Sequence, residues 1–392
     1  MADVITVVGC DGGPLSPLAA QRLAAATMLV GGERHLSTMD GFAAGAERVV
    51  LGDVAAATAR LAAHPGPAVV LASGDPGFFG IVRALRAAGL RPEVLPAVSS
   101  VALAFARIGL PWDDAVVVSA HGSSGGRALR RAVNVCRAYP KVAVLAGPGT
   151  GAAELATALA DRRLVVCSRL GAPDERVGDY DGTAWPDPTV VLAVSDVDGG
   201  SGWMAGPRPA SAGWALDESA FAHRDSMVTK AEVRAVVLAR LAPRLGDLVW
   251  DIGAGSGSVA VECARLGAAA LAVDHDPAAC ELVRGNASTF GVTVDVVHGA
   301  APAALDGLPE PDAIFVGGGG LDVLAACAAR RPARLVVVCA AIERVGPAIA
   351  AIGAAGYRAE GAQVQVSRLA QLPDGAHRLA ALNPVIVLWA QR

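Results

Sequence analysis

Along the first half of the chain, short β-branched runs alternate with alanine-rich stretches. The runs predict strands at Ile5–Val8, Met28–Val30, Ala68–Leu71, Glu93–Leu95, Ala115–Val118, Val142–Leu145, Leu164–Cys167 and Val190–Val194. Helices are expected between them, for example over Gly80–Ala88 and Ala152–Ala160. Such alternation builds mostly parallel sheets covered on both faces. The pattern then fails: residues 196–213 are rich in Gly, Ser and Pro and show no periodicity. A linker there divides the chain into expected domains at 1–198 and 216–392, joined by 199–215. The second half restarts with a helix over Lys230–Leu241. Strands follow at Leu248–Asp251, Ala270–Asp274, Thr293–His298, Ala313–Val316, Leu335–Cys339, Gln363–Val366 and Pro384–Trp389. Seven strands suit one Rossmann-like sheet.

A length of 392 residues exceeds one ordinary core, and 53% hydrophobic against 18% charged residues marks a folded α/β protein. The net charge of −4 gives no electrostatic footprint for DNA or RNA. No apolar stretch approaches the roughly 20 residues that cross a bilayer. Residues 1–8 lack a basic leader and run directly into a strand, so a cytoplasmic location is expected. The 7 cysteines show no metal-ligand spacing, and no metal site is expected; in their apolar contexts they read as small buried hydrophobes in a reduced compartment.

The sharpest chemical signal is Asp251-Ile252-Gly253-Ala254-Gly255-Ser256-Gly257-Ser258, set between the apolar run Leu248–Trp250 and the helical Val259–Ala264. Strand, glycine turn and helix in this order form a nucleotide-binding unit. In a dinucleotide enzyme the helix N-terminus would take a pyrophosphate. In a methyltransferase the same loop holds the methionine part of S-adenosylmethionine. Asp251 favours the second reading, because a carboxylate suits an ammonium group and repels a pyrophosphate. Asp274 closes the next strand and is placed for ribose hydroxyls. The plain alternative is a glycine turn that binds nothing. A second glycine-containing loop, Ser73-Gly74-Asp75-Pro76-Gly77, does not fit that template; alone it reads as a strand-to-helix turn.

Resemblance sharpens both halves. Asp217–Phe221, Arg224, Met227, Thr229–Ala235, Trp250–Val259, Glu262, Gly299–Pro302, Pro311–Gly320 and Ala381–Val385 succeed one another in an order that closely resembles the precorrin methyltransferase domain of cobalamin biosynthesis. That domain methylates carbon 15 and removes a carboxyl group. Ala300 stands where an acid is common, Arg331-Pro332-Ala333 replaces a Gly-Gly pair, and Val338–Glu343 keeps only its terminal acid. Over residues 3–195, Gly9–Pro14, Gly74–Pro76, Leu95–Val101, Gly109–Ala115, Val118–Gly122, Arg169–Gly171 and Glu175-Arg176 resemble the tetrapyrrole methylase family, in its carbon 5 branch. Here the first glycine loop reads Gly-Cys-Asp-Gly-Gly, and Ala97 replaces a glycine, a cost if that position needs positive φ.

The resemblance implies a tetrapyrrole methylase fold of two α/β subdomains followed by a class I Rossmann-like methyltransferase domain. It implies methylation of precorrin-6B at carbons 5 and 15 with loss of the ring C acetate carboxyl, giving precorrin-8X, and S-adenosylmethionine as methyl donor at both sites. Cofactor contacts are expected from Asp251, Gly253, Gly255, Gly257, Ser258, Asp274, Gly299, Ala300 and Ala301, and in the first half from Gly9, Gly74, Asp75, Ser99 and Ser100. Glu262, Arg224 and Lys230 are the candidate catalytic residues. Glu262, one helical turn beyond Ser258, could contact the substrate, orient the glycine loop or form a surface ion pair. The two cations either serve substrate carboxylates or belong to a solvated helix N-terminus. Thr229, Gly317, Gly318 and Gly319 are expected to border the macrocycle. His121 is a candidate base or an ordinary loop histidine. The partner is a polycarboxylate tetrapyrrole, with neither nucleic acid nor membrane, and assembly into a homo-oligomer is expected. Two other readings compete: an RNA or protein methyltransferase, and a first half that only carries tetrapyrrole to an active second half.

Overall fold

The computed structural model describes residues 5–39, 41–120, 125–147, 149–187, 189–195, 213–224 and 228–392. His121, Gly122, Met227 and residues 199–212 of the expected linker lie outside them. The chain forms two compact units, Met1–Ala128 with Lys141–Gly206, and Leu129–Pro140 with Pro207–Arg392. The stretch 129–140, expected in the first domain, thus groups with the second unit.

The first unit contains two five-stranded sheets. Strands β1 (Ile5–Cys10), β2 (Met28–Gly31), β3 (Glu47–Val50), β4 (Ala68–Ser73) and β5 (Glu93–Leu95) pair in the order β3-β2-β4-β1-β5. All four pairings are parallel. The runs of β1, β2 and β4 are apolar on both faces because helices cover both, and Val7, Val30 and Val70 are fully buried, whereas the edge strand β3 is mostly exposed. Strands β6 (Val116–Ser119), β7 (Lys141–Leu145), β8 (Arg163–Ser168), β9 (Arg176–Asp179) and β10 (Thr189–Val194) form the second sheet, ordered β6-β7-β10-β8-β9. Only β6–β7 is parallel, whereas β10 runs antiparallel to both neighbours and β8 to β9. The expectation of a mostly parallel arrangement fails in this sheet. A short turn joins β8 to β9, which permits only antiparallel pairing, and an apolar run carries no sign of its direction.

The second unit is the expected seven-stranded sheet. Strands β11 (Leu248–Ile252), β12 (Ala269–Asp274), β13 (Asp295–His298), β14 (Ala313–Val316), β15 (Arg334–Cys339), β16 (Glu360–Val364) and β19 (Val385–Gln391) are ordered β13-β12-β11-β14-β15-β19-β16. β19 is antiparallel to β15 and to β16. Trp250 and Ile314 anchor the core beneath one face. Strand order reverses between β11 and β14, and in open α/β sheets the crevice at the carboxyl ends of such a switch point is where ligands bind. The glycine loop after β11 lies there.

Between β16 and β19 the chain forms an unexpected hairpin, β17 (Ser367–Gln371) with β18 (His377–Ala381). Arg368 ties it down, donating to both oxygens of Glu218 at 2.8 and 2.9 Å and of Glu232 at 2.6 and 2.9 Å. Hydrogen bonding from Arg368 draws the Glu218 carboxyl down to about 2. Arg368 and Glu232 are each about one-third exposed or more, so solvent screening limits the clamp's worth to about 1 kcal/mol. We expect Arg368→Ala to speed amide exchange across residues 367–381 while leaving exchange in β11 and β12 unchanged; equal acceleration in both places would mean that the clamp supports the whole unit.

Candidate functional site

The turn after β11 needs its glycines. Gly253, Gly255 and Gly257 have φ of +71°, +56° and +71°, the left-handed region that disfavours other residues. A Cβ at Gly253 would sit 2.9 Å from the Gly318 nitrogen, and one at Gly257 would sit 2.8 Å from the Val283 methyls. Asp274, 8% exposed, accepts from the Gly255 N–H at 2.9 Å and from the Asp276 N–H at 3.0 Å. The Gly299 N–H donates to its carbonyl at 2.8 Å, bringing the turn after β13 beside it. The Ala300 carbonyl is taken by the Ala304 N–H at 3.0 Å.

Asp251 lies deeper, with 1% exposure. One carboxylate oxygen accepts from the Ala260 N–H at 2.9 Å inside the helix Ser258–Arg265; the other, Oδ1, has no hydrogen-bond partner among the described residues. Burial, reinforced by repulsion from Asp274, pushes its pKa up to about 7. An orphaned, buried acceptor beside a glycine turn fits a cationic ligand group.

Glu262 corrects an expectation. Its place one helical turn beyond Ser258 left substrate contact, loop orientation and a surface ion pair open, yet the side chain is fully buried. It accepts from the Ala215 and Leu216 N–H groups at 2.9 and 2.8 Å, from Arg234 Nε at 3.0 Å and from Arg265 Nη1 at 3.3 Å. With its acceptor capacity spent inside the protein it has no free lone pair or access for a substrate, and its role is to anchor residues 213–224. Arg234 reinforces the anchor by donating to the carbonyls of Leu216 and Thr229, and Arg265 donates to Gly213. The last residues of the expected linker therefore belong to the second unit's fold.

The other expected residues stand as follows. Arg224 is half exposed and pairs with Asp276 at 2.9 Å, two residues beyond Asp274. Lys230 caps the helix Ala231–Leu241, its carbonyl accepting from Arg234 N–H. Ser258 is buried at the start of its helix. A Cβ on Gly320 would meet open space and one on Gly318 only the Gly253 Cα at 3.8 Å, but Gly319 is glycine for an internal reason: a Cβ there would meet Val323 at 2.7 Å. With Gly317, Cys339 and Arg344, Gly318 and Gly320 line a small cleft at the ends of β14 and β15.

In the first unit, three loops at the carboxyl ends of β1, β4 and β5 meet through their backbones. A Cβ on Gly9 would collide with the Gly74 carbonyl and the Ala97 nitrogen, and one on Gly12 with Gly171. Asp11 bridges two of these loops, accepting from Gly13 N–H at 2.9 Å and Val98 N–H at 3.2 Å. Ala97 is not among the positive-φ residues, so the alanine costs no strain. Asp75 accepts from Gly77 N–H at 2.8 Å, and Ser99 caps the helix Ser100–Ile108 through Ala102 N–H at 3.2 Å. Those two side chains shape their own turns. Sequence reasoning missed Arg34, which donates to Ser73 Oγ at 2.5 Å, and His35, whose Nε2 is 3.4 Å from the same oxygen. Burial, then repulsion from Arg34, brings the His35 imidazole down to about 4, so it is neutral at pH 7. Neither residue stands in a glycine motif, and no spacing signals them.

Comparison with known proteins follows the same division. A family model described as "Precorrin methyltransferase domain" matches residues 219–391, and one described as "Tetrapyrrole (Corrin/Porphyrin) Methylases" matches residues 5–181. A Sinorhizobium protein named "Precorrin-6Y C(5,15)-methyltransferase [decarboxylating]" is 38% identical over 340 residues, covering 81% of this chain and 78% of that protein. A Pyrobaculum calidifontis protein named "Probable cobalt-precorrin-6B C(15)-methyltransferase (decarboxylating)" is 40% identical over 172 residues, 42% of this chain and 88% of that one. A solved structure of a precorrin-6y C5,15-methyltransferase from Geobacter metallireducens is 31% identical and covers 45% of this chain and 97% of its own, with a TM-score of 0.43.

Two consequences are measurable. Glu262→Ala leaves Arg234 buried without its carboxylate and should cost about 3–5 kcal/mol of stability in denaturant unfolding; a loss below about 1 kcal/mol would show that the anchor is dispensable. Asp251 binds its proton more tightly folded than unfolded, so the associated stabilisation is present at acid pH and lost as pH rises from about 4 through about 7. The stability difference between the protein and its Asp251→Asn variant should shift towards the variant across pH 5–7, by roughly 1.4 kcal/mol for each pH unit. A difference independent of pH would mean that Asp251 is ionised throughout.

Proposed function

Because the chain belongs to the decarboxylating precorrin-6Y C(5,15)-methyltransferase family, we propose a division of its work between the two units. The protein methylates a precorrin at carbons 5 and 15 and removes a carboxyl group, in cobalamin biosynthesis. In our reading the second unit carries out carbon 15 methylation and decarboxylation of the ring C acetate, and the first carries out carbon 5 methylation. Support comes from the two family models, which cover separate stretches of chain.

The observation that carries the cofactor assignment is the pair of acids around the β11 turn. Asp251 Oδ1 is an unpartnered buried acceptor suited to the ammonium of S-adenosylmethionine. Asp274 keeps lone pairs beyond its two backbone bonds, at the crevice, for ribose hydroxyls. Gly253, Gly255 and Gly257 allow the left-handed turn that brings this backbone to the crevice. Bound there, S-adenosylmethionine supplies an electrophilic methyl group. The protein's task is then alignment and exclusion of water, since an enamine-like meso carbon is already nucleophilic.

Arg224 and Lys230 are assigned to substrate carboxylates. The Arg224–Asp276 pair is half exposed and weak enough to exchange for a substrate carboxylate. In the first unit the loops around Gly9, Gly74 and Ala97 present backbone groups, and a second S-adenosylmethionine is assigned to them. A reduced cytoplasm suits seven free thiols, six of them buried. Among the described residues no helix is long and apolar enough to cross a membrane. Leu369 and Leu379, paired across the β17–β18 hairpin and 73% and 68% exposed, favour a homo-oligomer.

Mass spectrometry of the product formed from the precorrin and labelled S-adenosylmethionine tests the assignment. The unaltered protein should add two methyl groups and release one carbon dioxide. Asp274→Ala should weaken donor binding at the second unit more than about tenfold, about 1.4 kcal/mol. At limiting donor its product should carry one methyl and keep its carboxyl. A product with two methyls formed at the normal rate would remove Asp274 from the site, and a product with none would favour a first unit that only carries tetrapyrrole.

A further inference from the structure

One buried side chain joins the anchored segment to the glycine loop. Asn286, on the helix Pro277–Thr289, is 2% exposed. Its Oδ1 accepts from the Ala222 N–H at 2.8 Å, and its Nδ2 donates to the Ala222 carbonyl at 2.9 Å. The second Nδ2 hydrogen goes to the Ser256 carbonyl at 2.8 Å, inside the turn between Gly255 and Gly257. A flipped amide would set its oxygen against two carbonyls, so the three bonds fix a single orientation. One turn earlier, Val283 packs where a Cβ on Gly257 would stand. At the helix's start Asp276 takes Arg224 from the same segment. The segment grips this helix at both ends, and the helix in turn touches the glycine loop at Val283 and Asn286.

We propose that Asn286 is a positioning residue for the methyl donor: it holds the Ser256 carbonyl, and with it the backbone of the Gly253–Gly257 turn, in its binding geometry, and Ala222 holds Asn286. This rests on the assignment of that turn to S-adenosylmethionine. The bond lies outside every side chain assigned to ligand contact, so its loss should appear in donor affinity and not in the chemical step.

Carbon dioxide release by the full chain, measured against S-adenosylmethionine concentration, tests it. Asn286→Ala should raise KM for the donor about tenfold, the worth of one buried hydrogen bond, with kcat changed less than about threefold. Asn286→Leu keeps the branched shape of the side chain and loses all three bonds without setting a charge against the Ala222 and Ser256 carbonyls. It should show the same rise, and it serves if the alanine variant does not fold. Phe221→Leu is the structural control: Phe221 packs on Phe290 and Arg234 in the same segment and does not bond the loop. At a comparable loss of thermal stability it should leave KM within about twofold. An unchanged KM in both Asn286 variants, or an equal rise in Phe221→Leu, overturns the proposal. If the unaltered protein releases no carbon dioxide, the assignment of the turn falls and the proposal with it.

Discussion

A buried carboxylate must be paired, and in the second unit that requirement organises everything around the glycine loop. Glu262 sits on the helix that the loop opens, with four donors converging on it from residues 215, 216, 234 and 265. Two are backbone N–H groups of a segment that contributes no strand to the sheet. That segment is drawn into the fold because the acid cannot remain buried without it. Arg234, equally buried, turns its remaining N–H groups to the carbonyls of Leu216 and Thr229, so the cation is satisfied by the same segment. The ion pair does not add stability simply by existing, since desolvating two charges offsets much of their attraction. What it gives is specificity, because other placements of residues 213–224 would strand a charge.

The two units solve loop placement differently. After β11 the turn is held by side-chain carboxylates from below, with Asp251 reaching Ala260 and Asp274 reaching Gly255. In the first unit the loops touch directly, Gly9 against Gly74 and Ala97, and Gly12 against Gly171, with no room for a side chain. Asp11, a departure from the tetrapyrrole methylase pattern, links the first loop to Val98 and so replaces backbone freedom with a hydrogen bond.

Much of this was legible in the sequence. Most strands of both units announce themselves as apolar runs, though β3 and β9, largely exposed, do not. The Asp251–Ser258 turn, with Asp274 following, is readable because glycine and acid at fixed spacing have few other uses. Strand direction in the β6–β10 sheet was not legible, since it depends on connection geometry and not on hydrophobicity. The β17–β18 hairpin was hidden because Leu369 and Leu379 are exposed and leave no buried-face pattern. The role of Glu262 stayed open because helical spacing places it near Ser258 without saying which side of the helix is buried. Asn286 left no signal at all: its partners are backbone atoms of Ala222 and Ser256, and such partners have no residue identity to read.

The unequal surroundings of Asp251 and Asp274 also bear on which ligand the turn selects. Asp274 lies at the surface of the crevice and is held by two N–H donors, while Asp251 is desolvated and holds one. Burial holds the Asp251 carboxyl well above the usual carboxylate range, so its ionised form carries a desolvation cost that the protein does not offset. A ligand bearing an ammonium beside Oδ1 meets that cost by supplying the missing opposite charge. A pyrophosphate supplies no such charge; beside it the acid would keep its proton, the form that burial, and then repulsion from Asp274, already favours. In the assignment proposed above, the unpartnered Oδ1 of Asp251 thus suits the turn to a ligand carrying a cationic group better than to a pyrophosphate.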